Sequence, residues 1–130
     1  MVDYDEEGKI ILRGNYVENR KEGKWIYETP DYMEFGNYVN DEPDSLWKSY
    51  YMPGKRKFFE GRFLAGVPEG IHYAYHPNGA RKYVGGYVGG MKDGDWKFYD
   101  ENDYNYLVIT FKNDIEIKWQ GERVRPSYEE

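Results

Sequence analysis

A Gly-x-aromatic element recurs along the whole chain, as Gly14-Asn15-Tyr16, Gly36-Asn37-Tyr38, Gly61-Arg62-Phe63 and Gly85-Gly86-Tyr87, with a degenerate copy at Ile109-Thr110-Phe111. The aromatics follow one another at steps of 22, 25, 24 and 24 residues. A period of this length means that each unit is one supersecondary element, which buries its apolar surface only by stacking on its neighbours. Two further elements keep the same register. Nine residues after the first four aromatics stand Trp25, Trp47, His72 and Trp96, and two before each of these stand Gly23, Ser45, Gly70 and Gly94. Twelve residues before four of the five aromatics is a tyrosine (Tyr4, Tyr51, Tyr75, Tyr99), followed by a turn-like cluster such as Met52-Pro53-Gly54 or His76-Pro77-Asn78-Gly79.

Each unit reads as strand, loop, strand, turn. Leu12, Gly14 and Tyr16 share a face at period two, as do Phe59, Gly61 and Phe63, then Tyr83, Gly85 and Tyr87, then Leu107, Ile109 and Phe111. Second strands carry Gly23, Trp25 and Tyr27, then Ser45, Trp47 and Ser49, then Gly94, Trp96 and Phe98. The 15 Gly and 6 Pro are spread over the chain and interrupt any helical pattern, so an all-β chain almost without helix is expected. A glycine two residues from each ring leaves bare backbone on which a ring from a neighbouring strand can lie flat. The interior must be built this way, because 15 Tyr, 6 Phe and 4 Trp supply nearly half of the apolar residues.

The repeat array is expected over residues 1–121, with units near 4–27, 28–50, 51–74, 75–98 and 99–121, followed by a polar tail over 122–130. Tyr4 to Lys9 matches the second half of a unit, which reads as a trimmed or capped array. Ile115, Ile117 and Trp119 alternate with Glu116 and Lys118 in a last strand that reads as a cap.

Net charge is −6, with 10 basic against 13 acidic residues up to Ala65 and 8 against 11 after it. This diffuse acidity argues against nucleic acid and anionic lipid as partners. The basic run Lys55-Arg56-Lys57 reads as a solvated hairpin end. No apolar run approaches the roughly 18 residues of a membrane helix, and the acidic opening is unlike a signal peptide, so a cytoplasmic chain without membrane insertion is the expectation. The chain has no cysteine, which excludes disulfides and thiolate metal sites.

With these residues assembled, the pattern resembles the MORN repeat, and more closely its bacterial variant, to which homology often assigns the role of antitoxin in a toxin and antitoxin pair. The match is densest from His76 to Tyr99, HPNGARKYVGGYVGGMKDGDWKFY, which is similar to the variant's turn, Gly-x-aromatic, spacer, Gly-x-Trp and Tyr in that order. The resemblance implies an elongated, twisted, single-layer antiparallel sheet of successive hairpins and a non-enzymatic role in protein association. The chain departs from the pattern at Ser45, at His72 and in the fifth copy, where Lys118 and Gln120 occupy the glycine and tryptophan slots.

Other chemistry is poorly provided for. His72 and His76 are the only histidines, and four residues along a strand span roughly 13 Å, too far for one metal. Gly85-Gly86-Tyr87-Val88-Gly89-Gly90 lacks the helix that a dinucleotide loop requires. Asp100-Glu101-Asn102-Asp103 lacks the central glycine and closing glutamate of a calcium loop. Ser45, Ser49 and Ser127 have no histidine in register, and Asp93 and Asp95 flank a repeat glycine as a solvated turn would. Neither catalysis nor a cofactor is expected. A sheet open on a face rich in Tyr and Trp has the composition of a binding surface, so Trp25, Trp47 and Trp96, with Tyr27 and Phe98 beside them, are the candidate contacts. The partner expected is a protein, with a second copy or an adjoining domain as further occupants; sequestration of a toxin and stacking on a carbohydrate are the alternatives.

Overall fold

The computed structural model describes residues 2–5 and 10–121. Over these residues the chain runs as eleven strands: β1 (Val2–Asp5), β2 (Ile11–Val17), β3 (Arg20–Thr29), β4 (Tyr32–Val39), β5 (Glu42–Tyr51), β6 (Arg56–Leu64), β7 (Val67–Tyr75), β8 (Arg81–Val88), β9 (Met91–Tyr99), β10 (Asn105–Lys112) and β11 (Ile115–Gly121). All lie in one sheet in chain order, every neighbour antiparallel. The expected all-β, single-layer sheet of hairpins is therefore the fold. The turn-like cluster that follows Tyr4, Asp5-Glu6-Glu7-Gly8, and the tail over 122–130 fall outside the described residues, apart from the backbone of Asp5 in β1.

The loop expected between first and second strands is a two-residue reversal. Its central pairs are Glu18-Asn19, Asn40-Asp41, Ala65-Gly66, Gly89-Gly90 and Asn113-Asp114, all at positive φ between 50° and 85°. Two successive positive φ values define the type I′ turn, whose twist matches that of the flanking strands. The spacing of nine residues then poses a register problem. Tyr16 pairs with Lys21, and continuing that register would set Trp25 opposite Leu12, yet Arg13 pairs with Ile26 and Asn15 with Glu22. Gly23, Lys24 and Trp25 thus share the single partner Gly14. The same offset falls at Gly36, Gly61 and Gly85.

This bulge explains the second family of glycines. Gly23, Gly70 and Gly94 sit at φ of 76°, 76° and 82°, with Ser45 at 67°, and a Cβ added at any of the three glycines meets nothing within 4 Å. They do not seat rings, which corrects the reading that both glycine families do. Their role is to let the backbone fold into the bulge, a conformation that costs a residue with a Cβ.

Neighbouring hairpins are tied along both rims of the sheet. At the I′ rim the backbone N–H of Asp41 donates to the Lys21 carbonyl, that of Gly66 to Pro43 and that of Asp114 to Lys92, at 3.0, 2.8 and 3.0 Å. Asp41 Oδ1 accepts the N–H of Lys21, and Asp114 Oδ1 that of Lys92, both at 2.7 Å. Pro43 and Pro68 hold the equivalent positions in the second and third hairpins, and the following turns there carry Gly66 and Gly90 instead of aspartate. The covariation has a direct cause: proline has no N–H for a carboxylate to accept. At the opposite rim the Tyr51 hydroxyl donates to the Tyr75 carbonyl and His76 Nε2 to that of Tyr99, both at 2.9 Å.

Candidate functional site

The four bare glycines seat four rings. A Cβ on Gly14, Gly36 or Gly85 would fall well inside contact distance of the Trp25, Trp47 or Trp96 indole, and one on Gly61 would lie 2.6 Å from His72 Nδ1. Each ring is also tethered by its donor nitrogen. Trp25 Nε1 donates to the Asn15 carbonyl at 3.2 Å, Trp47 to Asn37 at 3.1 Å and Trp96 to Gly86 at 3.0 Å, always the residue after the seat. His72 Nε2 meets the Arg62 carbonyl at 2.9 Å. A carbonyl only accepts, so Nε2 carries the hydrogen and the histidine reproduces the indole bond.

Aromatics from the first strands close in from both sides of Trp25, His72 and Trp96 and from one side of Trp47. Tyr16 stands edge-on to Trp25 at 5.2 Å between centroids, Trp25 to Tyr38 at 6.0 Å and Tyr38 to Trp47 at 5.1 Å. Farther along, Phe63 meets His72 at 5.2 Å, His72 meets Tyr87 at 4.9 Å, Tyr87 meets Trp96 at 5.2 Å and Trp96 meets Phe111 at 6.1 Å. These are the offset, edge-to-face contacts that ring quadrupoles favour, each worth about 1 kcal/mol beyond burial. A single layer thereby acquires an interior without a second sheet.

The candidate contacts divide accordingly. Trp25, Trp47 and Trp96 are 3, 8 and 3% exposed, which corrects the expectation that they present a binding surface: pressed onto glycine and walled by tyrosine, they are the core. Phe98 packs against the cluster of Trp96, Ile109 and Phe111, while Tyr27 keeps an open side at 37% exposure. The glycines at 14, 36, 61 and 85 lie under the rings, and Tyr16, Tyr38, Phe63 and Tyr87 stand against their edges.

The fifth hairpin breaks the rule for a visible reason. Ile109 occupies the seat position, is itself buried and stands directly opposite Trp119. The bulge here shifts the register by one residue, so Trp119 rather than Gln120 is the repeat tryptophan. With its seat filled, the ring turns out to 59% exposure and donates to Glu116 Oε1 at 2.9 Å.

Two polar features lie on the ring face. The Tyr32 hydroxyl donates to Glu34 Oε1 at 2.6 Å and lies 3.2 Å from Ser49 Oγ. Burial, then the bond to Glu34, pushes its pKa up to about 12. Desolvation lowers the pKa of His72 below its ordinary 6.5, which keeps the ring neutral. Among the described residues no group of three or more His, Asp or Glu is placed to hold a metal ion, and no helix is long and apolar enough to cross a membrane.

The opposite face carries a feature that the ring pattern concealed. The residue before the first four I′ turns is aliphatic, Val17, Val39, Leu64 and Val88, at 55, 42, 63 and 61% exposure. Val67 and Met91 follow two of these turns at 41 and 40%, and Ile71 adds 55% farther along β7. Successive hairpins stand two strand spacings apart, so the row presents an apolar side chain every ~10 Å along the rim. Its sequence signal was available, an aliphatic residue directly after each of the first four repeat aromatics. No model of a known protein family matches the chain, and no curated protein matches it.

Proposed function

We propose that the chain is a non-catalytic protein-interaction or scaffolding module. The observation that carries this reading is the row of exposed aliphatics along the I′ rim, regularly spaced and rigidly held by turns hydrogen-bonded to one another. Isolated exposed apolar residues are ordinary on a protein surface, whereas an aligned row is the kind of patch that a protein partner covers. The resemblance of His76 to Tyr99 to the MORN variant points the same way, and the surplus of acidic residues favours a basic partner. Carbohydrate stacking draws no support from the ladder, because its rings meet edge to face and the indoles are covered.

The test is capture by the immobilised full chain from its source cell, beside the double variant Leu64→Lys, Val88→Lys. Both positions are exposed, so the variant should melt as the wild type does, within about 0.5 kcal/mol. The wild type should retain a protein in near-equal amount and the variant should lose it. Retention by both, or by neither, would overturn the reading. A captured basic enzyme that loses activity on binding would give the module its antitoxin-like form.

A further inference from the structure

Two lysines show what the steps of the ring ladder accept. Lys21 Nζ stands 5.2 Å from the Trp25 ring centroid and 4.8 Å from that of Tyr38. Lys92 Nζ stands 5.1 Å from Trp96 and 5.0 Å from Phe111. In both places the indole of one hairpin meets the aromatic of the next, with centroids 6.0 and 6.1 Å apart, and an ammonium lies against both rings. Rings present negative quadrupole density to such a cation, and part-buried sites of this kind are favourable.

The step between Trp47 and Phe63 lacks that occupant. Pro43 holds the lysine position there and ends its side chain in the pyrrolidine ring. Phe63 lies against His72, the smaller ring that replaces tryptophan in the next unit, and among the described residues no ring contact joins it to Trp47. A cavity of about 180 Å³ remains, lined by Glu34, Pro43, Trp47, Phe59 and Phe63 among others. The third unit also carries proline, Pro68, but its step is closed by the 4.9 Å contact of His72 with Tyr87. The second unit therefore keeps a tryptophan and a phenylalanine at the two wall positions, shares Glu34 with the cavity beside Lys21 and supplies no ammonium of its own.

We propose that this cavity binds the ammonium group of a lysine side chain presented by a protein partner. Lysine is the cation that the rings at the equivalent positions already hold in the first and fourth units, and Glu34 gives the cavity a charge opposite to the guest. The partner in this statement rests on the interaction reading above; the cation chemistry rests on the cavity alone.

The probe is N-acetyl-lysine methylamide, titrated into the full chain while the Trp47 indole resonance is followed, with the norleucine analogue as an uncharged isostere. A dissociation constant on the order of 1 mM is expected for lysine and a value at least about tenfold weaker for norleucine. The double variant Pro43→Lys, Gly66→Asp rebuilds the lysine and aspartate pair of the first unit and should fill the cavity from within, abolishing probe binding while the melt shows a folded chain. Conversely, Lys21→Ala should open a second site, reported by the Trp25 resonance. Equal binding of norleucine, or binding unchanged in Pro43→Lys, Gly66→Asp, would overturn the proposal. So would choline binding without lysine binding, which would assign the cage to a small quaternary ammonium compound. Probe binding in a chain that captures no partner would support the ammonium site and sink the interaction reading, so the two fail separately.

Discussion

A missing methyl group is the smallest unit of this architecture, and neighbouring residues test it against each other. Gly85 and Gly86 are adjacent in β8 but face opposite ways. A Cβ on Gly85 would intrude on Trp96, whereas one on Gly86 would meet only the Asp93 and Gly70 carbonyl oxygens at 3.8 and 3.9 Å. Gly85→Ala should therefore cost about 3 kcal/mol in a denaturant melt and Gly86→Ala less than about 1, and equal costs would refute the seat. His72 provides a second residue-scale test. Its pKa is depressed in the folded chain, so the unfolded chain takes up the proton more readily. Stability is then complete above the ordinary value of 6.5 and falls as pH drops below it. His72→Trp keeps the donor to the Arg62 carbonyl and should remove that acid-side decline; a decline that persists in the variant would assign it to the carboxylates. The ring seats were legible in the sequence because bare backbone and ring recur at one spacing. Burial of the tryptophans was not, since composition alone does not reveal that tyrosines close over them.

At the scale of the hairpin, the sequence displayed the unit but hid its geometry. Strand, loop, strand and turn could be read from aromatic spacing, yet the loop is an I′ turn whose central pairs, Glu18-Asn19 and Ala65-Gly66 among them, differ from the Asn-Gly pair that announces one. The bulge was equally hidden, because a glycine that bears no ring looks in sequence like a glycine that does. Once the bulge is placed, Ser45 becomes the residue out of keeping. It holds φ at 67° where its counterparts are glycine, a conformation that costs a residue with a Cβ roughly 1 kcal/mol or more. Ser45→Gly should raise stability by about 0.5 to 1 kcal/mol after the entropy of a freer unfolded chain is subtracted. The readout is a shift of the denaturant midpoint at constant slope, and a loss of stability would mean that the Ser45 hydroxyl, 3.1 Å from Asp44 Oδ2, outweighs the strain. The slot assigned to Gln120 missed its tryptophan by one residue for a related reason: the fifth bulge differs in size, and register shifts of one residue leave no trace in composition.

For the molecule as a whole, a sheet in which each strand pairs only with the strands beside it, and each hairpin is tied only to the next, behaves as a one-dimensional stack, so local losses stay local. The four tryptophans turn this into a measurement. Three are seated within the stack, and Trp119 stands on β11, where every residue is exposed and Ile109 occupies the seat. A soluble quencher should reach Trp119 and leave the emission of Trp25, Trp47 and Trp96 largely untouched, and Trp119→Phe should abolish the accessible fraction. The energies should divide in the same way. Trp96→Ala removes a seated ring, its bond to the Gly86 carbonyl and its contacts with Tyr87 and Phe111, a loss of about 4 kcal/mol. Trp119→Ala removes a ring packed against solvent and should cost less than about 0.5 kcal/mol. If Trp119→Ala proved as damaging as Trp96→Ala, β11 would be part of the core rather than an outlying rung, and a filled seat would no longer account for its exposure. A small cost leaves Trp119 as surface that the fold does not consume, as with Leu64 and Val88, and on the interaction reading proposed above such residues are where a stack whose tryptophans are seated would meet another protein.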